Sequence, residues 1–240
     1  MKRRVAILQP GYLPWLGYFD QLARVDLFVH YDDVQYTRRD WRNRNRIKGP
    51  GGPLWLTVPV AVKGRPNVLI RDVPIAGTDW ARRHLATLRH CYARAPHFDW
   101  VYPRLESWLS RPVERLADLC IAGVELLAGM LGITTPTVRS STLPGCDGLH
   151  KTDRLLAICR ALGATNYLSG AAARAYLDVA ALEQAGIAVA FQDYAHPVYP
   201  QLWGDFVSHL SVVDLLMNVG PDAGAVLRGA AAPLAEVPAR

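Results

Sequence analysis

The sequence predicts an α/β fold: a mostly parallel, Rossmann-like sheet with flanking helices and a helical insertion over residues 79–132. Three observations predict it. Short apolar strands alternate with helical periodicities, which argues for a sheet covered on both faces. Residues 5–9, 19–24 and 27–31 read as a compact strand–helix–strand unit, whose parallel pairing needs a right-handed crossover. The alternation returns in the last third of the chain, after a long helical stretch.

Taken in order, residues 5–9 form an apolar strand, followed by a Pro/Gly/aromatic loop, GYLPWLGY. Residues 19–24 read as a short helix with Phe19, Leu22 and Ala23 on one face, and residues 27–31 as the next strand. Residues 54–60 alternate and are rich in β-formers, so they read as a strand; Pro59 places its end or marks an edge. Residues 68–75 are its expected partner. Three helices are expected between Asp79 and Gly132. Thr78 or Asp79 caps the first, Pro96 ends it, Pro103 marks a break or kink near the second, and Pro112 opens the third. Residues 137–141 form a short strand. Residues 151–162 form a helix with Leu155, Leu156, Ile158, Cys159 and Leu162 inward, stopped by Gly163. A strand at 166–168 runs into Ser169-Gly170. Residues 171–185 are helical up to Gly186, 187–191 are a strand, and 212–218 a last helical turn or two. The organisation expected is one α/β domain over residues 1–220 and a flexible tail over 221–240, which has little to bury.

A chain of 240 residues, half of them hydrophobic and a fifth charged, has enough apolar material for a sizeable core. The N-terminus carries the charges of a signal peptide, but Gln9 and Pro10 interrupt the apolar run, so a cytoplasmic location is expected. The apolar stretch 116–133 contains Asp118 and Glu125 and reads as a core helix, not a membrane span. The four cysteines, Cys91, Cys120, Cys146 and Cys159, are far apart with no CxxC pair. That points to buried thiols in a reducing compartment. No pair of histidines or cysteines has ligand spacing, so neither a metal nor a cofactor is expected. The formal charge is +6 and six of the eleven residues from Arg38 to Lys48 are basic. Such a cluster suits a small anionic ligand as readily as nucleic acid, tRNA included, or a plain solvated loop. The small anion is the favoured partner.

Several constellations carry possible chemistry. Sheets of this kind bind ligands at the carboxyl ends of their strands. The first such loop holds Gln9, Tyr12, Trp15 and Tyr18 among two prolines and two glycines: a rigid corner, or a seat whose aromatic rings cover a sugar or base. Asp32 and Asp33 end the second strand. If the strand continues, they point to opposite faces and only one can enter a site. Gln35 follows them. The stretch TRRDWRNRNRIK offers arginine forks, Arg44 among them, with Asn43 as a neutral donor and Trp41 as a stacking face. Lys151 opens a helix against the dipole, which invites an anion held jointly with the helix end. Ser169 and Gly170, followed by Arg174, form a strand–turn–helix seat for phosphate or carboxylate. With one flanking glycine it is not a nucleophile elbow. His196, in the stiff segment HPVYPQ with Tyr199 and Gln201, is the best general-base candidate because imidazole titrates near neutrality.

The runs ILQPGYLPWLGYFDQLARVDLFVHYDDVQYTRRDWRNRNRIK, WLTVPV, KTDRLLAICRALGATNYLSGAAARAYLD, GIAVAFQDYAHPVYPQ and LSVVDLLMNVG resemble the WbqC-like family over most of residues 5–220. Proteins of that family are similar to products of bacterial O-antigen gene clusters, and others accompany specialised biosynthesis genes. The resemblance implies an enzyme of surface-glycan or related biosynthesis. A second likeness, of fold alone, is to nucleotidylyltransferases. The two histidines which hold triphosphate in that class are missing from Trp15-Leu16-Gly17-Tyr18 here. The functional expectation is a transferase acting on an activated anionic substrate, a nucleotide-linked amino sugar or an aminoacyl donor. His196 would accept a proton, with Asp33 or Asp32 orienting the substrate. A non-catalytic nucleotide-sugar or partner-enzyme binder and a nucleic-acid binder stand as alternatives.

Overall fold

The computed structural model describes residues 2–146 and 148–229. In chain order the elements are β1 (Arg4–Leu8), α1 (Leu16–Ala23), β2 (Leu27–His30), β3 (Arg44–Gly49) and β4 (Gly52–Thr57). The helical stretch follows as α2 (Trp80–Tyr92), α3 (Phe98–Leu109) and α4 (Leu116–Met130). The last third is β5 (Thr137–Arg139), α5 (Lys151–Ala161), β6 (Asn166–Ser169), α6 (Val179–Gln184), β7 (Ala188–Phe191), α7 (Val212–Val219) and α8 (Ala223–Gly229).

Five strands form a parallel sheet in the order β5-β2-β1-β6-β7, and β3 and β4 form a separate antiparallel hairpin. β1 is central because Val5, Ala6 and Ile7 are all buried, so it can sit only where both faces are covered. On one face Ala6, Phe28, Leu168 and Ala190 pack in a core with Phe19 and Leu22 of α1, much of α4, and α7 and α8. On the other, Val5, Ile7, Val29, Tyr167 and Val189 pack with Ile158 and Cys159 of α5 and Leu182 of α6. The crossover from β1 to β2 therefore lies on one face and that from β6 to β7 on the other. The chain leaves β1 and β6 in opposite directions, so the gap between their carboxyl ends is the topological switch point of the sheet.

Four expectations are corrected. The partner of β4 is β3, with Arg46 opposite Trp55, not the segment 68–75. That segment contributes a 3-10 turn over Ile70–Asp72 and isolated bridges from Leu69 to Gln35 and from Ile75 to Val60. The alternation of β3 is real, with Asn45 and Ile47 inward and Arg44 and Arg46 outward, but a polar inward residue hides it from a hydrophobic pattern. The helix expected over 171–185 is a 3-10 turn, Ala171–Ala175, and then α6. The Asp178 carboxylate accepts the Ala181 N–H at 3.1 Å, which makes it an N-cap and starts the helix afresh. The tail begins later than expected. Ala223 and Leu227 of α8 are buried, and Gly224 lies so close to α4 that a Cβ there would stand 2.1 Å from the Leu131 carbonyl oxygen. Residues 230–240 of the expected tail lie outside the described residues. Pro103 sits inside α3, and Pro112 precedes α4 by a turn instead of opening it.

Candidate functional site

The loop from β1 to α1 is held from beneath. Asn45 of the hairpin donates its Nδ2–H to the Leu13 carbonyl at 2.7 Å, and the Tyr12 N–H reaches the carbonyls of Trp41 and Arg42 at 3.3 and 3.2 Å. Leu13 takes a positive φ of 46°, a conformation that a side chain adopts only when its surroundings impose it. Tyr12 itself points into the core. Its ring stacks on Trp108 at 5.9 Å and its hydroxyl donates to Nδ1 of His84 at 2.8 Å. Tyr18 is buried against Phe28. Trp15, by contrast, is half-buried and lies over Gly17, where a Cβ would meet the indole at 2.2 Å. Gly17 is thus required by the position of Trp15.

The Trp15 backbone pairs with Ser211, which brings the segment from Gln192 to Ser211 onto the rim. Trp15 stacks on His209 at 5.4 Å and meets Tyr194 edge-on at 5.4 Å. His209 lies 5.0 Å from the His196 ring, and Phe206 and Tyr199 complete the aromatic wall. His196 is held at both ends: Nδ1–H donates to the Pro197 carbonyl at 2.9 Å and Nε2 accepts the His209 N–H at 3.1 Å. Burial lowers its pKa from the usual value, and the Pro197 bond partly restores it. The ring is neutral near pH 7, and its one free lone pair is occupied by a backbone donor.

Gln192, the first residue past β7, ties the two sides of the switch point together. Its backbone N–H donates to the Ser169 carbonyl at 2.8 Å. Its side-chain Nε2 donates to the Gly17 carbonyl at 2.8 Å and to Asp20 at 2.6 Å, and its Oε1 accepts from Gln21 at 2.8 Å. Asp20 also takes Arg24 at 2.7 Å. Burial raises the Asp20 pKa, opposed by the bonds from Gln192 and Arg24. Gly170 stands against the same network, since a Cβ there would be 3.5 Å from Gln21 Nε2. Above it the Gln9 Oε1 is buried without a hydrogen-bond partner among the described residues, and Tyr194 Oη likewise. Trp15, His196, Gln9, Ser169 and Gly170 of the expected set therefore border one rim.

Other expected residues are engaged elsewhere. Asp32 is fully buried and accepts from Ser141 N–H at 3.1 Å and Ser141 Oγ at 2.9 Å. Asp33 accepts from Ser140 Oγ at 2.5 Å and pairs with Arg154. The strand stops at His30, so the two carboxylates are free of strand alternation and both turn to the Ser140 hydroxyl. Gln35 donates to the Pro66 carbonyl at 3.0 Å, and Asn43 to the Val58 carbonyl at 2.8 Å. Arg44 donates to the Arg39 carbonyl and lies 4.3 Å over the Trp55 ring. Arg174 lies 4.3 Å over Phe191. Lys151 is exposed at the start of α5 with a φ of 51°.

Tyr199 and Gln201 belong to a buried network. Lys48 is only 1% exposed, and its ammonium donates to Gln201 Oε1 and the Gly204 carbonyl, both at 3.2 Å, and to the Asp205 carbonyl. Tyr92 donates to Asp214 at 2.7 Å, and burial raises the pKa of both groups. Tyr199 lies close by; burial, with Asp214 adding, raises its pKa, and its hydroxyl has no hydrogen-bond partner among the described residues. Thus one cation of the basic stretch supports the rim from within.

Sequence reasoning missed Gln192, Asp20, Gln21 and His209. A signal existed for three of them. Asp20 and Gln21 are polar in a short apolar helix yet only 2% and 4% exposed, and Gln192 follows a strand whose last three residues are buried. Two clefts lie apart from this rim. One of about 740 Å³ runs between α2 and α3, and one of about 230 Å³ lies beside β5 with His30, Asp118 and Arg139 in its wall. Neither is lined by Trp15 or Ser169.

No solved structure matches this chain. The uncharacterized protein Rv1507c of Mycobacterium tuberculosis (strain ATCC 25618 / H37Rv) is 44% identical over 231 residues, covering 94% of this chain and 98% of the relative. The family model for the WbqC-like protein family matches residues 9–226, which takes in the β1 loop, the hairpin, Ser169 and the whole of the Gln192–Ser211 wall. This chain belongs to the WbqC-like protein family.

Proposed function

We propose that the protein is a transferase that binds a small, activated, anionic metabolite at the β1/β6 switch point and passes a group from it to an acceptor. The setting is bacterial surface-polysaccharide or related specialised biosynthesis. The observation that carries this reading is the Gln192 bridge. It locks the start of α1, at Gly17, and the end of β6, at Ser169, 152 positions apart in sequence, into one rigid rim where parallel sheets receive ligands. Among the described residues, five non-glycine residues have positive φ, and two of them, Leu13 and His209, lie in the rim. The start of α1 and the turn after Ser169 carry no side-chain cap, which leaves their first N–H groups to a phosphate or carboxylate. Trp15, Tyr194 and His209 supply an aromatic wall for the rest of the substrate. His196 handles the proton only if the His209 N–H swings away from Nε2, so the two histidines act as a pair.

The test is a thermal-shift screen with nucleotide sugars, nucleotides and amino acids, since a ligand of the native state raises the midpoint. A hit should be lost in Trp15→Ala, and turnover of the hit should fall about 10²-fold in His196→Ala. No stabilising ligand in these classes, or a hit indifferent to Trp15→Ala, removes the reading. Binding without product under every acceptor tried assigns the rim to a non-catalytic binder.

A further inference from the structure

The outward face of the β3–β4 hairpin and the turn before it carry two tryptophans that folding leaves in water. Trp41 and Trp55 are 45% and 44% exposed, and their rings lie 5.3 Å apart at 37°. The register sets Arg46 opposite Trp55, and strand alternation puts Arg44, Arg46 and Trp55 on one face while Ile47 and Leu56 face the core. The Arg44 guanidinium lies 4.3 Å over the Trp55 ring and that of Arg46 lies 5.9 Å from it. The acid of this region, Asp40, is already paired with Arg42 at 3.5 Å. Exposed indoles beside cations, with no uncommitted acid, form a surface complementary to an aromatic anion.

This face adjoins the rim. The Trp41 carbonyl accepts from Tyr12 N–H, and the Arg46 carbonyl accepts from the N–H of Ser211, the residue that pairs with Trp15. Two indoles have room for one or two bases, and the cations are confined to the hairpin and the turn before it, which favours a single nucleotide over a strand. We propose that this face docks the nucleoside diphosphate part of a substrate, with Trp41 and Trp55 stacking the base and Arg44 and Arg46 holding the phosphates. The proposal rests on the transferase reading of the rim and names its substrate class as nucleotide-linked.

Calorimetric titration of the full chain with UDP, ADP, inorganic pyrophosphate and a short single-stranded RNA tests it. Both nucleoside diphosphates should bind. Trp41→Ala and Trp55→Ala should each weaken them about tenfold or more and leave pyrophosphate little changed, because base stacking is the interaction removed. Arg46→Gln should weaken diphosphates and pyrophosphate alike. Trp41 and Trp55 are exposed and Arg46 is part-buried, and an unchanged thermal midpoint verifies that each variant folds. Diphosphate affinity unaffected by both tryptophan variants overturns the platform, and so does wild-type protein that binds neither diphosphate. Diphosphate binding lost in Trp15→Ala but intact in Trp55→Ala keeps the rim reading and ends this one; the reverse pattern keeps the platform and ends the rim reading. RNA binding with a steep salt dependence, lost in Trp55→Ala while diphosphates are silent, overturns the proposal in favour of a nucleic-acid surface.

Discussion

The Gln192 carboxamide donates to the Gly17 carbonyl at 2.8 Å, across 175 positions of sequence. It links the far edge of the sheet to the first turn of the helix that follows its central strand. Gln192→Ala would leave the Gly17 carbonyl, Asp20 and Gln21 short of a buried partner. A loss of about 3 kcal/mol in urea unfolding is expected, at the upper end for unsatisfied buried groups. A loss under about 1 kcal/mol would show that the bridge is dispensable.

Gly17→Ala separates the rim from the fold. Alanine is the better helix former, so α1 itself gains slightly. A Cβ at 2.2 Å from the indole nevertheless forces Trp15 off its stack on His209. Stability should change by less than about 1 kcal/mol while ligand binding at the rim falls. An ordered Trp15 in its original place in a crystal of the variant would contradict this.

Two buried histidines make stability depend on pH. Burial lowers the pKa of His30 and His84 from 6.5 to about 4, with Arg139 adding to the shift at His30. Between those values the unfolded chain binds protons that the native protein refuses, so stability is full above about pH 6.5 and falls as pH drops toward 4. The slope near pH 5 should approach two protons per molecule. Asp20 and Asp214, whose pKa values are raised, act in the opposite sense. The native carboxyl takes its proton first, which adds stability as pH falls and flattens the acid end. Urea midpoints measured from pH 7 to pH 4 report the slope. His84→Gln should remove about one proton of it, and an identical slope in that variant would exclude His84.

Tyr12→Phe deletes the hydroxyl that occupies His84 Nδ1 and leaves that nitrogen buried. A destabilisation of about 1–2 kcal/mol is expected in chemical unfolding. A variant as stable as the parent would mean that the bond contributes nothing net.

Lys48→Met keeps the length of the buried side chain but abandons Gln201 and the carbonyls of Gly204 and Asp205. About 3 kcal/mol of stability should be lost. Faster amide exchange should be confined first to the 201–207 turn, as read by mass spectrometry. Exchange rising uniformly across the chain would instead indicate global loosening.

The parallel sheet was legible because its signal is local. Val5–Ile7 and Val189–Phe191 are apolar on every residue, and such strands fit only a doubly covered sheet. The hairpin was not legible, since Asn45 and Lys48 are polar residues that are buried, and their partners, Leu13 and the 204–205 carbonyls, are distant in sequence. The site shows the same division. The β1 loop and Ser169 could be placed at strand ends from pattern alone. Asp32, Asp33 and Gln201 have residue types suited to chemistry, and only the folded chain reveals that Ser140, Ser141, Arg154 and Lys48 already engage them. His209 carried no pattern at all. Its place opposite Trp15 depends on a φ of 59° in an irregular segment.

The rim is fastened by carboxamide side chains and amides that grip main-chain oxygens: Asn45 on Leu13, Gln192 on Gly17 and, through its own backbone, on Ser169. A main-chain oxygen is the same whatever side chain its residue bears. The fastening therefore constrains the gripping residues, Asn45 and Gln192, while Leu13 answers to the core around it and Ser169 to its buried contact with Tyr167. Relatives should keep a carboxamide at positions 45 and 192 more strictly than a serine at 169.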